Sequence, residues 1–162
     1  MNLFLVGNHF SEKKYNLNTW QDFATHLRAA GHTVITTSNK ENKVMRMIDM
    51  LATLWNRRKE YQIAQVDVFS GQAFIWSYLS TKLLTALKKP VIITLHGGNL
   101  PEYASSHSTS MKWLLNAATA VTAPSAYLIS SMGQYRKDIS LIPNALEIKL
   151  YPFIERKNVK PK

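Results

Sequence analysis

The sequence predicts an α/β domain built on a parallel sheet, and three observations carry that prediction. Short apolar runs alternate with segments of helical period along most of the chain. The run PVIITLHGGNLPEY, residues 90 to 103, passes from a buried-type strand straight into a histidine, two glycines and an asparagine. The length, 162 residues, fits one domain with a real core and is too short for two large lobes.

The elements follow in order. NLFLVG, residues 2 to 7, opens the sheet, and a polar stretch runs from Asn8 to Asn18. Trp20, Phe23, Ala24 and Leu27 then fall at helical spacing, with Asn18 as the N-cap and Gly31 as the stop. TVITT, residues 33 to 37, is the second strand. Residues 43 to 59 read as a helix with Val44, Met47, Ile48, Leu51, Leu54 and Trp55 on one stripe and a basic other side. A strand near Val66 to Phe69 leads through Ser70 and Gly71 into an almost wholly apolar helix, Phe74 to Leu87, that Pro90 closes. Such a helix is expected to be buried.

After the strand of residues 91 to 95 come the HGGNL loop, a helix from Ser110 to Ala117 and a short strand from Ala120 to Ala123. Ser125 is placed to cap a further helix to about Tyr135, and ISLI, residues 139 to 142, is the last strand. Residues 1 to 148 are therefore expected to form the domain. Residues 149 to 162, polar and basic with two prolines, read as a linker or tail without a core.

Composition narrows the function classes. The chain has no cysteine, which excludes disulfides, thiolate metal sites and cysteine nucleophiles together. No apolar run approaches the ~18 residues of a membrane-spanning helix, and MNLFLVGNHF lacks the basic leader and cleavage site of a signal peptide. A cytoplasmic location is the expectation. Twenty Lys and Arg against ten Asp and Glu give a formal charge of +10, so a partner should carry negative charge. The first strand-to-helix turn, GNHFSEKKY, lacks GxGxxG, which argues against a nicotinamide or flavin dinucleotide. It also lacks the acidic residues of a phosphoacceptor receiver domain, carrying Asn8 and His9 instead. No cofactor or metal is expected.

Ligands of open α/β sheets collect beyond the carboxyl ends of the strands, which makes the 96 to 99 turn a working surface. His96 is the central candidate, while Gly97 and Gly98 permit either a tight turn or close approach of a ligand to the main chain. Asn8, His9 and Asn99 follow strands and carry groups able to bind hydroxyls. Ser125 reads as a helix cap that could also face an anion, and Asn144 as a turn-shaping residue near the same edge. Glu102, the nearest acid to His96 in sequence, reads as a helix-start or surface residue. Lys43, Arg46, Arg57, Arg58 and Lys59 around Trp55 would suit an anionic membrane surface, giving peripheral attachment at the inner membrane face. One apolar stripe cannot serve both core and membrane. Core packing is therefore expected unless Met45 and Met50 make a separate exposed face.

LHGGNLPEY, VTAPSAYL at 121 to 128 and LIPNALEIKLYPF at 141 to 153 together resemble the N-terminal domain of retaining glycosyltransferases of family 4. The GH of Gly31 and His32, the DVFSG of residues 67 to 71 and the His96–Gly97 turn belong to the same ordered set. The resemblance implies a Rossmann-like, doubly wound parallel sheet as one half of a GT-B fold. It further implies that His96 is catalytic, facing the transferred sugar. Asn8, His9, Gly97, Gly98, Asn99, Ser125 and Asn144 would surround a sugar or lipid-linked acceptor. A nucleotide-sugar donor would be held by basic residues and glutamates of a C-terminal domain, without which this half should not turn over and could self-associate. Two departures stand out: Asn8 follows Gly7 where many members have a glycine pair, and IPNA at 142 to 145 replaces IPNG. The alternative is a non-catalytic basic α/β module for nucleic acid or another polyanion, against which no RNA-binding signature is visible.

Overall fold

A computed structural model describes residues 1–7, 19–38, 40 and 42–144. In chain order the elements are β1 (Asn2–Val6), α1 (Thr19–Ala29), β2 (Thr33–Thr37), α2 (Lys43–Asn56), β3 (Ile63–Val68), α3 (Gln72–Ala86), β4 (Val91–Leu95), α4 (Leu100–Ser106), α5 (Ser108–Ala117), β5 (Ala120–Ala123), α6 (Ala126–Met132) and β6 (Ile139–Leu141). The strands form one sheet in the order β2-β1-β3-β4-β5-β6, every pair parallel. The winding reverses at β1, since β2 lies on one side of it and β3 on the other. This is the doubly wound, Rossmann-like architecture, and its switch point lies between the ends of β1 and β3.

Strand register sorts the side chains onto two faces. Ala64 pairs with Val91, Val66 with Ile93 and Val68 with Leu95, and this row joins Phe4, Val6, Ile35 and Val121 in one buried cluster. Helices α2 to α6 close over it through Met50 and Leu54, Phe74 and Leu84, Leu100, Leu114 and Met132. The opposite face is different. Leu5 and Ala24, with Leu27 and Val34 beside them, make a small second cluster under α1. Among the described residues α1 is the helix that covers this face, and it lies over β1 and β2.

Most predicted elements are present, with shifts that have local causes. β3 begins at Ile63, three residues before the predicted start, because Gln65 and Asp67 break the apolar run without breaking the ladder to β4. Residues 101 to 106, given no element from the sequence, form helix α4 together with Leu100 of the expected HGGNL loop, with proline in its first turn and Glu102 there as well. α2 ends at Asn56 and α6 at Met132, each short of the predicted end. The expected Asn18 cap and the 149 to 162 tail lie outside the described residues. α2 has its own cap: Asn42 Oδ1 accepts from the N–H groups of Val44 and Met45 at 3.0 and 3.1 Å.

Two readings of helix faces change. The stripe expected to pack α2 on the core splits: Leu54 is buried with Met50, whereas Val44, Ile48 and Trp55 are exposed together with Met45. α3 buries hydroxyls as much as hydrocarbon, with Ser77, Ser80 and Thr81 inside and Ile75 outside. The Ser77 hydroxyl accounts for itself, donating to the carbonyl of Asp67 at 2.6 Å and so tying α3 to the end of β3.

Candidate active site

His96 stands one residue past β4, at the carboxyl edge of the sheet. Its N–H donates to the carbonyl of Val68 at 2.9 Å, which extends the β3–β4 ladder by one rung and fixes the backbone at this point. Gly97 follows at φ +88°, a left-handed conformation that favours glycine, with no atom near the place a Cβ would occupy. The turn therefore accounts for this glycine. The Gly98 position is likewise open, and Asn99 occupies the N-cap position of α4 without a side-chain cap, its carbonyl accepting from Tyr103 N–H at 3.1 Å.

Register brings to His96 a carboxylate that sequence reasoning did not single out. Asp67 is paired across the ladder with Thr94, so His96, two residues on from Thr94, points from the same face. Asp67 Oδ1 lies 3.3 Å from His96 Nε2, with the Asp67 side chain 8% and the His96 side chain 20% exposed. The approach has ion-pair distance without hydrogen-bond alignment, since the buried Nε2 has no aligned partner. Phe69 lies along the other side of the ring, stacked at 4.8 Å between centroids and 15° between planes. The imidazole thus has a carboxylate close to one nitrogen and an aromatic ring against its face.

Behind the pair runs a line of polar side chains on the same sheet face. Gln65 Nε2 reaches Asp67 Oδ1 at 3.5 Å and donates to Thr94 Oγ1 at 3.2 Å, and Thr122 Oγ1 donates to Thr94 Oγ1 at 3.0 Å. Four side chains from β3, β4 and β5 are linked in this way. A buried carboxylate with few donors remains available to a nearby cation or N–H, and here the neighbour is His96.

Two depressions open along the same edge. A narrow crevice at the switch point is lined by Val6, Gly7, Asp67, Phe69, Ala73 and Trp76 among others. An open groove of about 310 Å³ runs between the start of α3 and α4, lined by Ser70, Gly71, Asn99, Glu102, Tyr103, Ser106 and His107. Phe69 lines the crevice and the adjacent Ser70 the groove, and His96 is in the lining of neither. Gly71, at φ +71°, turns the chain from β3 into α3.

The other predicted residues distribute as follows. Ser125 Oγ accepts from Leu128 N–H at 3.3 Å, so it caps α6 as expected. Glu102 is exposed in the first turn of α4, the helix-start position expected for it, and also lines the groove. Asn144 is exposed beyond β6. Asn8 and His9 lie outside the described residues. Among the described residues no group of His, Asp and Glu is arranged to hold a metal ion, and no helix is long and apolar enough to cross a membrane.

Asp67 and Phe69 belong to DVFSG, a segment noticed as a motif but given no role. The usable signal was a carboxylate one residue from the end of a mostly apolar strand. Residues 37–150, which contain Asp67, Phe69, His96 and Ser125, match the family model described as Glycosyltransferase Family 4. The match spans more than half of the chain, which therefore belongs to this family of glycosyltransferases. No curated protein matches the sequence.

Proposed function

We propose that this chain is the acceptor-side half of a retaining GT-B glycosyltransferase, with residues 1–148 as the domain and 149–162 leading toward a donor-binding domain. The observation that carries the reading is the His96 imidazole, held against Asp67 and Phe69 at the carboxyl edge of a family 4 domain. Glycosyl transfer breaks the bond from the anomeric carbon to the departing phosphate oxygen and forms one to an acceptor oxygen, whose proton passes to the departing phosphate. Positive charge develops on the sugar meanwhile. With Nε2 turned to Asp67, His96 offers Nδ1 to a hydroxyl of the transferred sugar, and the carboxylate fixes the tautomer and ring orientation. Asp67 is a positioning residue in this scheme. Asn99 and the groove beside α4 supply amide, hydroxyl and carboxylate groups for a sugar acceptor, with Gly97 and Gly98 leaving main chain accessible above it. Asn8, His9, Ser125 and Asn144 complete the proposed acceptor surround.

The test is transfer from a panel of nucleotide sugars, with the 162-residue chain alone and with a donor-binding domain supplied. The expected result is no turnover alone and turnover when joined. His96→Ala should then lower kcat about 100-fold or more, the scale of losing one preorganised polar group at a reacting centre. Transfer indifferent to His96→Ala would overturn the site.

A further inference from the structure

We infer that the outward face of α2 seats this domain on an anionic lipid surface, a role separate from sugar transfer and independent of that reading. Val44, Met45, Ile48 and Trp55 are 60, 55, 53 and 49% exposed, on a helix whose opposite side already supplies Met50 and Leu54 to the core. Positions 44, 48, 52 and 55 succeed one another at helical spacing, so these side chains form one stripe along a helix about 21 Å long. Lys43 Nζ donates to Gln72 Oε1 at 2.7 Å and the Arg46 guanidinium lies 5.1 Å over the Trp76 ring, so α3 packs on the side of α2 that carries Met50 and Leu54 and leaves the stripe uncovered.

Four large apolar side chains turned to water on one helix face are more than scattered surface hydrophobics, and charge selects the occupant. Lys40 and Lys43 stand at the amino end of α2, and Arg58 and Lys59 just past its carboxyl end. Arg58 lies over the Trp55 ring at 4.6 Å, so a cation and an indole meet at one end of the stripe. Asp49 is the single acid within α2. Arg57 is already engaged with Glu60 at 2.6 Å and is left out of this count. An apolar stripe bearing tryptophan, with lysine and arginine at both ends and a chain charge of +10, matches the boundary between acyl chains and anionic headgroups. A helix lying in that plane would hold the carboxyl edge of the sheet, where α2 begins, beside the membrane surface.

The test is co-flotation of the full chain with vesicles of phosphatidylcholine containing about one-third phosphatidylglycerol, against vesicles of phosphatidylcholine alone. Preferential flotation with the anionic vesicles, reduced by salt, is the expected result. Val44→Ser/Ile48→Ser/Trp55→Ser changes only exposed residues and should lower partitioning by at least about 30-fold. Lys40→Gln/Lys59→Gln keeps the stripe and should lower it about fivefold per charge. A blue shift of emission on vesicle addition, absent in Trp55→Phe, reports insertion at the stripe. No flotation with anionic vesicles, or flotation insensitive to both sets of substitutions, would overturn the inference. So would self-association abolished by the serine variant without vesicle binding, which would assign the stripe to a second copy.

Discussion

On the face that helices α2 to α6 cover among the described residues, Val66, Ile93 and Leu95 are fully buried among leucines and methionines, whereas on the α1 face β3, β4 and β5 carry Gln65, Asp67, Thr94 and Thr122 linked side chain to side chain. The first arrangement gains stability from apolar area removed from water. The second gains little of that kind, since each hydrogen bond replaces one made with water. What it gains is position: Asp67 at the end of the polar line is set 3.3 Å from His96. One face of the sheet holds the fold, and the other carries the polar line that ends at Asp67 and His96.

The sharpest way to break this contrast is a matched pair of truncations. Leu84→Ala, in a helix side chain with no exposure, should cost about 2–5 kcal/mol in unfolding free energy by denaturant titration. Thr122→Val, on the polar line, should cost about 1 kcal/mol, the net value of its hydrogen bonds to Thr94 and the Ile93 carbonyl. Equal losses would erase the distinction between the faces.

A pH experiment sharpens the covered side. Tyr61 packs on Phe4 at 4.9 Å and donates its hydroxyl to the Leu54 carbonyl at 3.0 Å, and burial pushes its phenol up to about 12. An unfolded tyrosine ionises near pH 10, so above that value the unfolded chain binds fewer protons than the folded one and stability falls with rising pH. The stabilisation is complete below about pH 10 and is lost as pH climbs to about 12, an amount of roughly 2–3 kcal/mol. Denaturation midpoints across that window should show the slope in the native sequence and lose it in Tyr61→Phe.

The smallest effect on stability is expected on the polar side, where activity should respond instead. Asp67→Asn keeps shape and removes the charge facing His96, so the joined enzyme should lose about tenfold or more in kcat with little change in KM. A change in KM alone would mean that Asp67 serves binding and not the orientation of His96. Rescue by Asp67→Glu would favour charge over shape.

Strand and helix order was legible because hydrophobic period is a local property, readable within a dozen residues. β2 and β5 have the bounds expected of them, and Ser125 caps its helix as its type and place suggested. α4 was missed although Pro101 and Glu102 at its start are the residues a first helical turn prefers. His96 could be picked out as an exposed-type residue at the end of an apolar strand, but its partner could not. Asp67 is 29 positions away in number, and only the register of β3 on β4 sets the two on one face.

α2 makes the same division visible on a helix. Its sequence specifies an arc of apolar side chains wide enough for two surfaces, and period alone says nothing about which part turns inward. The choice belongs to the neighbours: β2, α3 and the sheet accept Met50 and Leu54, leaving Val44, Ile48 and Trp55 to water. The sequence by itself determined the α/β alternation, the strand-end turn at residues 96 to 99 and the basic charge, because each depends on residues near one another or on a simple sum. Only tertiary structure decided the Asp67–His96–Phe69 arrangement and the outward stripe of α2. Both depend on pairings between strands and helices distant along the chain, where a single step of register or a rotation of one helix would give different neighbours.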